Sequence, residues 1–182
     1  MANEIETGVE KSMARNRTLT ERIGMYIPLY KGYKQMNLRR DEDRAVRQLV
    51  AGVLDNAKTD LKNAQRATVG DVAAMRDAER VYSKVDRYCI DVKKATGGYS
   101  AFHSSVKIRE SELDEVISWD ARLIDDIEQL KQQTEMMVRD ADSGDGIGAD
   151  IKLVERSIDK MIDDFRQRDI LMKGFADGAK EE

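Results

Sequence analysis

Residues 109–140 form the stretch RESELDEVISWDARLIDDIEQLKQQTEMMVRD, which decides the fold. Apolar side chains recur in it at spacings that alternate between three and four residues, along the stripe Leu113, Val116, Asp120, Leu123, Ile127, Leu130, Thr134 and Met137. Only Asp120 and Thr134 interrupt this stripe. A period of 3.5 residues keeps one face of a helix against a partner helix along its whole length. The stretch therefore predicts a long helix packed side by side with others.

Three other segments carry comparable stripes. They are 34–67 with Val46, Val50, Leu54, Ala57, Leu61 and Ala64, 71–95 with Ala74, Ala78, Val81, Val85, Tyr88, Val92 and Ala95, and 151–172 with Ile151, Val154, Ile158, Met161, Phe165, Arg168 and Met172. Turn-forming residues at 68–71 and a glycine-rich acidic run at 142–148 separate neighbouring segments. Because short connections join antiparallel neighbours, we predict an all-α fold: an elongated antiparallel bundle of four long helices, arranged as two helical hairpins.

The ends of the chain are less regular than its body. Residues 1–22 show only Ile5, Val9 and Met13 at four-residue steps, so we predict an N-terminal segment that is partly helical or flexible, with room for a short helix. Pro28 interrupts any helix that precedes it. We predict a single bundle domain over 23–173 and a flexible tail over 174–182.

The composition agrees with long solvated helices. Of the 182 residues 36% are charged and 41% are hydrophobic, and proline occurs once. The one cysteine, Cys89, excludes an internal disulfide and favours a reducing compartment, so we expect a cytoplasmic protein. We find no apolar run of the roughly 18 residues that a membrane span requires, and residues 1–6 do not resemble a signal sequence.

Charge is distributed unevenly along the chain. Residues 11–47 hold 10 basic and 4 acidic side chains, whereas residues 109–182 hold 11 basic and 21 acidic ones. The net charge of the first region is therefore +6 and that of the second is -10. Such opposed fields can attract the two regions within one chain or attract one copy to the next.

Two short patterns resemble a known family. Ile27-Pro28-Leu29-Tyr30-Lys31-Gly32-Tyr33-Lys34 is followed by Gly98-Tyr99-Ser100-Ala101-Phe102 and by the pair Trp119-Asp120. These stretches resemble a family of uncharacterised prokaryotic helical proteins with the motifs Ile-Pro-x-Tyr-x-Gly-Tyr-Lys and Gly-Tyr-x-x-Phe and a downstream aromatic-Asp pair. The resemblance covers roughly a fifth of the chain and implies that the two loops belong to a recurring unit. It implies no activity.

One candidate surface combines aromatic and basic side chains: Tyr26, Tyr30, Lys31, Tyr33, Lys34, Arg39 and Arg40. Tyrosines stack on bases and arginines pair with phosphates, so the region 26–47 could bind nucleic acid, or else a protein or lipid partner. Alternatively, the rings cover one end of the bundle while the cations remain in water. We favour the covering role, and the net charge of -4 disfavours nonspecific binding to nucleic acid.

Asp120 is an anomaly, because it occupies a position in the stripe that an apolar residue should hold. Either the helix rotates so that Ile117 and Ile124 face inward, or the carboxylate is buried and hydrogen-bonded to a loop residue such as Tyr99 or His103. We favour the second alternative, a structural tie formed by Asp120 with Tyr99 and His103.

Other candidate sites lack the spacing that their chemistry needs. The acidic loop at 140–150 has Gly144, Asp145 and Ile151 where a calcium-binding EF-hand needs a ligand, a glycine and a bidentate carboxylate. A single histidine cannot supply a di-iron or zinc site of known type. Cys89 has no base nearby in sequence, which favours a packing role. We therefore predict no catalytic residues, metal, cofactor or small-molecule substrate.

These observations favour a noncatalytic helical scaffold or adaptor that acts through protein-protein contacts or self-association. We expect the face of the helix predicted over 109–140 that carries Ile117, Ile124 and Met136 to form the surface between copies. One alternative is a peripheral membrane-associated or filament-forming protein, with a basic N-terminal and an acidic C-terminal half. The other is nucleic-acid binding through the Tyr/Lys/Arg patch at 26–47.

Overall fold

The computed structural model describes residues 18–94 and 108–178, with side chains through residue 174. It contains a short helix α1 over 18–24 and four long helices, α2 (Arg39–Ala67), α3 (Val72–Lys94), α4 (Glu110–Ser143) and α5 (Gly148–Gly178). Strands are absent from the described ranges. The prediction of an all-α fold is therefore confirmed. No helix among the described residues has the length and apolar character that crossing a membrane requires.

The stripe that predicts α4 is buried along its whole length, including Asp120 and Thr134. Ile117 and Ile124 are buried as well, so the inward face of α4 is wider than a coiled-coil seam. The expectation that they form an outer surface is wrong, because α4 packs against both α2 and α5 and needs a broad apolar face. Of that predicted surface, Met136 is exposed.

The connection between α2 and α3 follows the prediction closely. Asp71 caps α3, since its Oδ1 accepts hydrogen bonds from the backbone N–H groups of Ala73 and Ala74 at 3.0 Å each. The buried row of α3 continues from Val85 to Cys89 rather than to Tyr88, whose ring is half-buried.

Helix α2 begins at Arg39, five residues later than its predicted start at residue 34. The backbone before it takes left-handed conformations at Leu29, Gly32 and Tyr33, with φ of 73°, 66° and 60°. A right-handed helix cannot continue through such residues. Gly32 is also required by close packing, because a Cβ there would lie 2.9 Å from Cδ1 of Ile117.

Both predicted boundaries of the bundle domain, at residues 23 and 173, fall inside helices. Helix α1 crosses the boundary at residues 22 and 23, and Ile23 is fully buried. Helix α5 continues past Gly174 to Gly178. A glycine in a helix costs about 1 kcal/mol relative to alanine, which weakens a helix without ending it.

Each long helix packs against two others: α2 lies against α3 and α4, and α5 lies against α4 and α3. Along α2 and α3, Asp55 contacts Lys93, whereas Gln65 contacts Glu79. Along α4 and α5, Asp120 contacts Arg168 near one end, and Gln133 contacts Ser157 further along. The core runs continuously through all of these helices and the segment 23–33.

Replacement by alanine should change the free energy of unfolding in opposite directions at two glycines that both have open space around them. Gly52 lies inside α2 and Gly144 follows α4 at φ 79°, and a Cβ at either position would have no atom within 4 Å. We expect Gly52→Ala to raise the free energy of unfolding by about 0.5 to 1 kcal/mol through helix propensity. Gly144→Ala should lower it by about 1 kcal/mol, because alanine disfavours positive φ. Urea denaturation of both variants measures the difference, and equal signs would contradict this account.

A buried ion cluster as the candidate functional site

Asp120 lies at the centre of a buried polar cluster and is 1% exposed. Its Oδ2 accepts hydrogen bonds from the hydroxyls of Tyr30 at 2.7 Å and Tyr33 at 2.6 Å. Its Oδ1 accepts a hydrogen bond from Nε of Arg168 on α5 at 2.5 Å. The carboxylate thus joins α4, α5 and the segment that precedes α2.

Two fully buried arginines extend this arrangement to α2. Arg168 donates from Nη1 to Asp43 Oδ1 and from Nη2 to the hydroxyl oxygen of Tyr33, each at 2.7 Å. Arg47 donates from Nε to Asp43 Oδ2 at 3.0 Å and from Nη2 to Asp169 Oδ1 at 2.7 Å. We call these residues, Asp43, Arg47, Asp120, Arg168 and Asp169 together with Tyr30 and Tyr33, the buried ion cluster.

The tyrosines enter the cluster as neutral donors. Burial raises the pKa of both Tyr30 and Tyr33 well above the ordinary value, and the negative charge of Asp120 raises it further. Burial lowers the pKa of Arg168, but the negative charges of Asp120 and Asp43 outweigh that effect, so its pKa lies well above the ordinary value. Arg168 therefore remains charged and the two phenols remain protonated near neutral pH. The hydroxyl of Tyr33 both donates to Asp120 and accepts from Arg168.

A second layer of contacts holds the left-handed backbone of Tyr33. Its backbone N–H donates to Glu42 Oε2 at 2.8 Å, and its carbonyl oxygen accepts from Nε of Arg39 at 2.7 Å. Burial raises the pKa of Glu42, while hydrogen bonds from the backbone amides of Tyr33 and Lys31 lower it in part. The first turn of α2 thus fixes the chain that enters it.

The seven side chains of the predicted partner-binding patch separate into different environments. Tyr30, Tyr33 and Arg39 are buried, and Tyr26 is half-buried with its hydroxyl bonded to Glu128 on α4. The remaining three, Lys31, Lys34 and Arg40, are exposed. The rings of Tyr30 and Tyr33 meet edge to face, with centroids 5.5 Å apart. The seven residues therefore do not form one accessible patch.

The predicted tie combined Asp120 with Tyr99 and His103, and both of these lie outside the described residues. The described partners of Asp120 are Tyr30, Tyr33 and Arg168. Sequence reasoning missed the role of Arg168, although Arg168 interrupts the apolar stripe of α5 in the same way that Asp120 interrupts that of α4. Two opposite charges in two facing stripes were the signal that could have paired them.

A second buried carboxylate lies on the same two helices. Asp126 is 2% exposed, contacts the ammonium of Lys160, and leaves its Oδ2 without a hydrogen-bond partner in the described structure. Lys160 also donates to Asp164 at 2.9 Å. Burial and the neighbouring Asp164 outweigh Lys160 and raise the pKa of Asp126 to about 6.

Cys89 is buried in α3, as its predicted packing role requires. Its thiol donates to Asp55 Oδ1 at 3.2 Å, and Lys93 binds Asp55 Oδ2 at 2.7 Å. Burial and the hydrogen bond to Asp55 raise the pKa of the thiol, which makes it a poor nucleophile. Among the described residues no three His, Cys, Asp or Glu side chains are grouped to hold a metal ion, and this includes the loop at 140–150.

An open groove runs between α2 and α4. It has a volume of about 340 Å³ and is lined by Val53, Asn56, Ala57, Thr59, Asp60, Ile127, Leu130, Lys131, Thr134 and Glu135. Its floor is apolar, since Ala57, Ile127 and Leu130 are buried, and its rim carries both charges. The groove is a surface feature that the stripes alone do not predict.

Comparison of the chain with protein-family models, curated proteins and solved structures finds no match in any of the three.

Removal of the Asp120 carboxylate should destabilise the protein strongly. We expect Asp120→Ala to lower the free energy of unfolding by about 3 to 5 kcal/mol, because Arg168 keeps its charge in a buried position and loses a partner. Trypsin should also cleave faster at Lys31 and Lys34, since Tyr30 and Tyr33 lose their acceptor. Chemical denaturation and timed proteolysis measure the two effects.

Asp125→Ala is the matched control, because Asp125 is the next carboxylate along α4 and pairs with Arg22 at 3.1 Å in an exposed position. It should cost less than about 1 kcal/mol. Equal losses of stability in the two variants would show that burial of the Asp120 charge is not the cause.

Asp126 should make stability depend on pH. Its pKa in the folded protein is about 6, above the ordinary value of 3.8, so the folded state binds this proton more tightly than the unfolded state does. The resulting contribution to the free energy of unfolding is fully present below pH 4 and is lost as the pH rises through 6. A difference of one pKa unit corresponds to about 1.4 kcal/mol, so the free energy of unfolding of the wild type should fall by up to about 3 kcal/mol relative to that of Asp126→Asn across this range. Thermal unfolding of both proteins from pH 4 to pH 7 tests this, and parallel stability curves would exclude it.

Proposed function

We propose that the protein is a noncatalytic helical scaffold or adaptor that acts through protein-protein contacts, first of all with copies of itself. The observation that carries this proposal is the groove between α2 and α4, which offers an apolar floor and a charged rim to a partner. Grooves of this kind accept an amphipathic helix from another molecule. The lining residues come from two long helices, which provide a stiff support for such contact.

The arrangement of the polar side chains supports a noncatalytic role. The groups that could do chemistry in the buried ion cluster already bind one another: Asp120 is bonded to two phenols and one guanidinium, and Arg168 to two carboxylates and one phenol. A substrate would have to displace strong charge-assisted hydrogen bonds to reach them. The cluster is better suited to fixing helices than to binding a ligand.

We further propose that the four long helices form an elongated antiparallel bundle of two hairpins, α2 with α3 and α4 with α5. Contact partners support this, because residue numbers rise along α2 while those of their partners fall along α3, from Asp55 with Lys93 to Gln65 with Glu79. The same inverse order links Asp120 with Arg168 and Gln133 with Ser157.

A cytoplasmic location agrees with a buried cysteine that has no disulfide partner in the chain.

Opposite charges favour contact between copies. The basic region 11–47 and the acidic region 109–182 carry +6 and -10, and part of this charge is paired within the chain, as in Arg22 with Asp125 and Arg47 with Asp169. Exposed charges of the two regions, such as Arg40 and Asp145, can attract another copy. The nucleic-acid alternative receives less support, since Tyr30 and Tyr33 use their hydroxyls on Asp120 and their rings are buried. Base stacking requires an exposed ring face.

A pair of substitutions in α2 tests the proposal. Asn56 and Asn63 are both exposed on the same helix, but only Asn56 lines the groove. We expect the wild type to show a mass that rises with concentration in light scattering, and Asn56→Arg to weaken this association at least about tenfold by placing a charge over the apolar floor. Asn63→Arg should associate like the wild type. A constant mass of 20.7 kDa at all concentrations, or equal effects of the two arginines, would refute self-association through the groove.

A further inference from the structure

Residues 25–36 have an inner and an outer face of different character. The inner face is formed by Ile27, Tyr30 and Tyr33, which are buried in the core. The outer face carries Met25 and Leu29, which are 75% and 81% exposed. Both line an open hollow of about 640 Å³ together with Lys31 and Lys34. Apolar and basic side chains thus share one external surface, which we call the outer face of residues 25–36.

Leu29 is unusual in two respects. Its backbone has φ of 73°, a conformation that bulky side chains rarely adopt, and its side chain is exposed despite being apolar. Neither feature stabilises the isolated chain. Strained backbone of this kind persists where the surrounding structure imposes it and is concentrated at functional sites. Here the surrounding structure is the pair Tyr30 and Tyr33, which is fixed to Asp120.

Basic side chains predominate around the outer face of residues 25–36. Residues 22–40 contain five basic side chains and no acidic one. Arg22 pairs with Asp125 and Arg39 binds the carbonyl of Tyr33, while Lys31 and Lys34 are exposed on the outer face. One carboxylate, Glu21, also borders the hollow. Because charges act over a Debye length of about 8 Å at physiological salt, this local excess decides the attraction more than the net charge of the whole chain does.

We propose that the outer face of residues 25–36 docks on the surface of an anionic lipid bilayer, a role that goes beyond the scaffold function. Met25 and Leu29 enter the boundary between headgroups and acyl chains, and Lys31 and Lys34 bind the anionic headgroups. A bilayer accepts protruding apolar side chains without a complementary pocket, and cations beside them strengthen binding to anionic lipid. Nucleic acid would satisfy the lysines but would leave Met25 and Leu29 in water.

The test is sedimentation of the full chain with vesicles at low ionic strength. We expect binding to vesicles of equal parts phosphatidylcholine and phosphatidylserine, and little binding to phosphatidylcholine alone. Lys31→Gln and Lys34→Gln should each weaken binding about fivefold. Leu29→Asn should weaken it about tenfold without loss of stability, because asparagine tolerates positive φ and adds no apolar surface.

Matched controls come from exposed side chains elsewhere. Lys152→Gln and Lys173→Gln remove exposed charges from α5, and Val69→Asn replaces an apolar residue that is 68% exposed in the turn after α2. These variants should bind like the wild type. Equal binding to neutral and anionic vesicles, equal losses in the control variants, or binding to RNA or to an acidic protein in place of vesicles would overturn the proposal. Because these outcomes do not depend on the groove, they are independent of the self-association test.

Discussion

The buried pair of Asp120 and Arg168 is the interaction on which the rest of the structure depends. Removal of a charge from water costs several kcal/mol, and this cost is offset only when every partner is correctly placed. Asp120 obtains its partners from α5 and from Tyr30 and Tyr33, and Arg168 obtains another from Asp43 on α2. The helices must therefore adopt one mutual position for the charges to be buried at all.

This interior constraint also determines part of the surface. Tyr30 and Tyr33 reach Asp120 only if the chain between α1 and α2 turns sharply, which it does through left-handed residues at 29, 32 and 33. Gly32 allows this turn to lie against Ile117. The turn leaves Leu29 pointing outward beside Lys31. The exposed apolar and basic side chains thus have a fixed arrangement, because the residues between them are held from behind.

Much of the fold could be predicted from the sequence, because apolar spacing reports directly which face of a helix is buried. The stripes of α2 and α4 are buried as predicted, and that of α3 changes, within Val72–Lys94, only where Cys89 replaces Tyr88. Its predicted last member, Ala95, lies outside the described residues. The polar contacts were harder to predict from the sequence. Asp120 stands out in its stripe, but the identity of its partners depends on the three-dimensional arrangement of the helices. The late start of α2 was missed because the left-handed conformations of Leu29 and Tyr33 are imposed by tertiary contacts, and neither residue type prefers them.

A repetitive apolar stripe leaves the alignment of two helices ambiguous, and the charges remove that ambiguity. If α5 slipped by seven residues along α4, most apolar side chains would still meet apolar side chains, because the pattern repeats at that interval. Asp120 would then face Met161, and Arg168 would face Leu113. Both charges would be buried against apolar groups, at a cost of several kcal/mol. We infer that the buried ion cluster selects a single alignment, a role that apolar residues at positions 120 and 168 could not perform however well they packed.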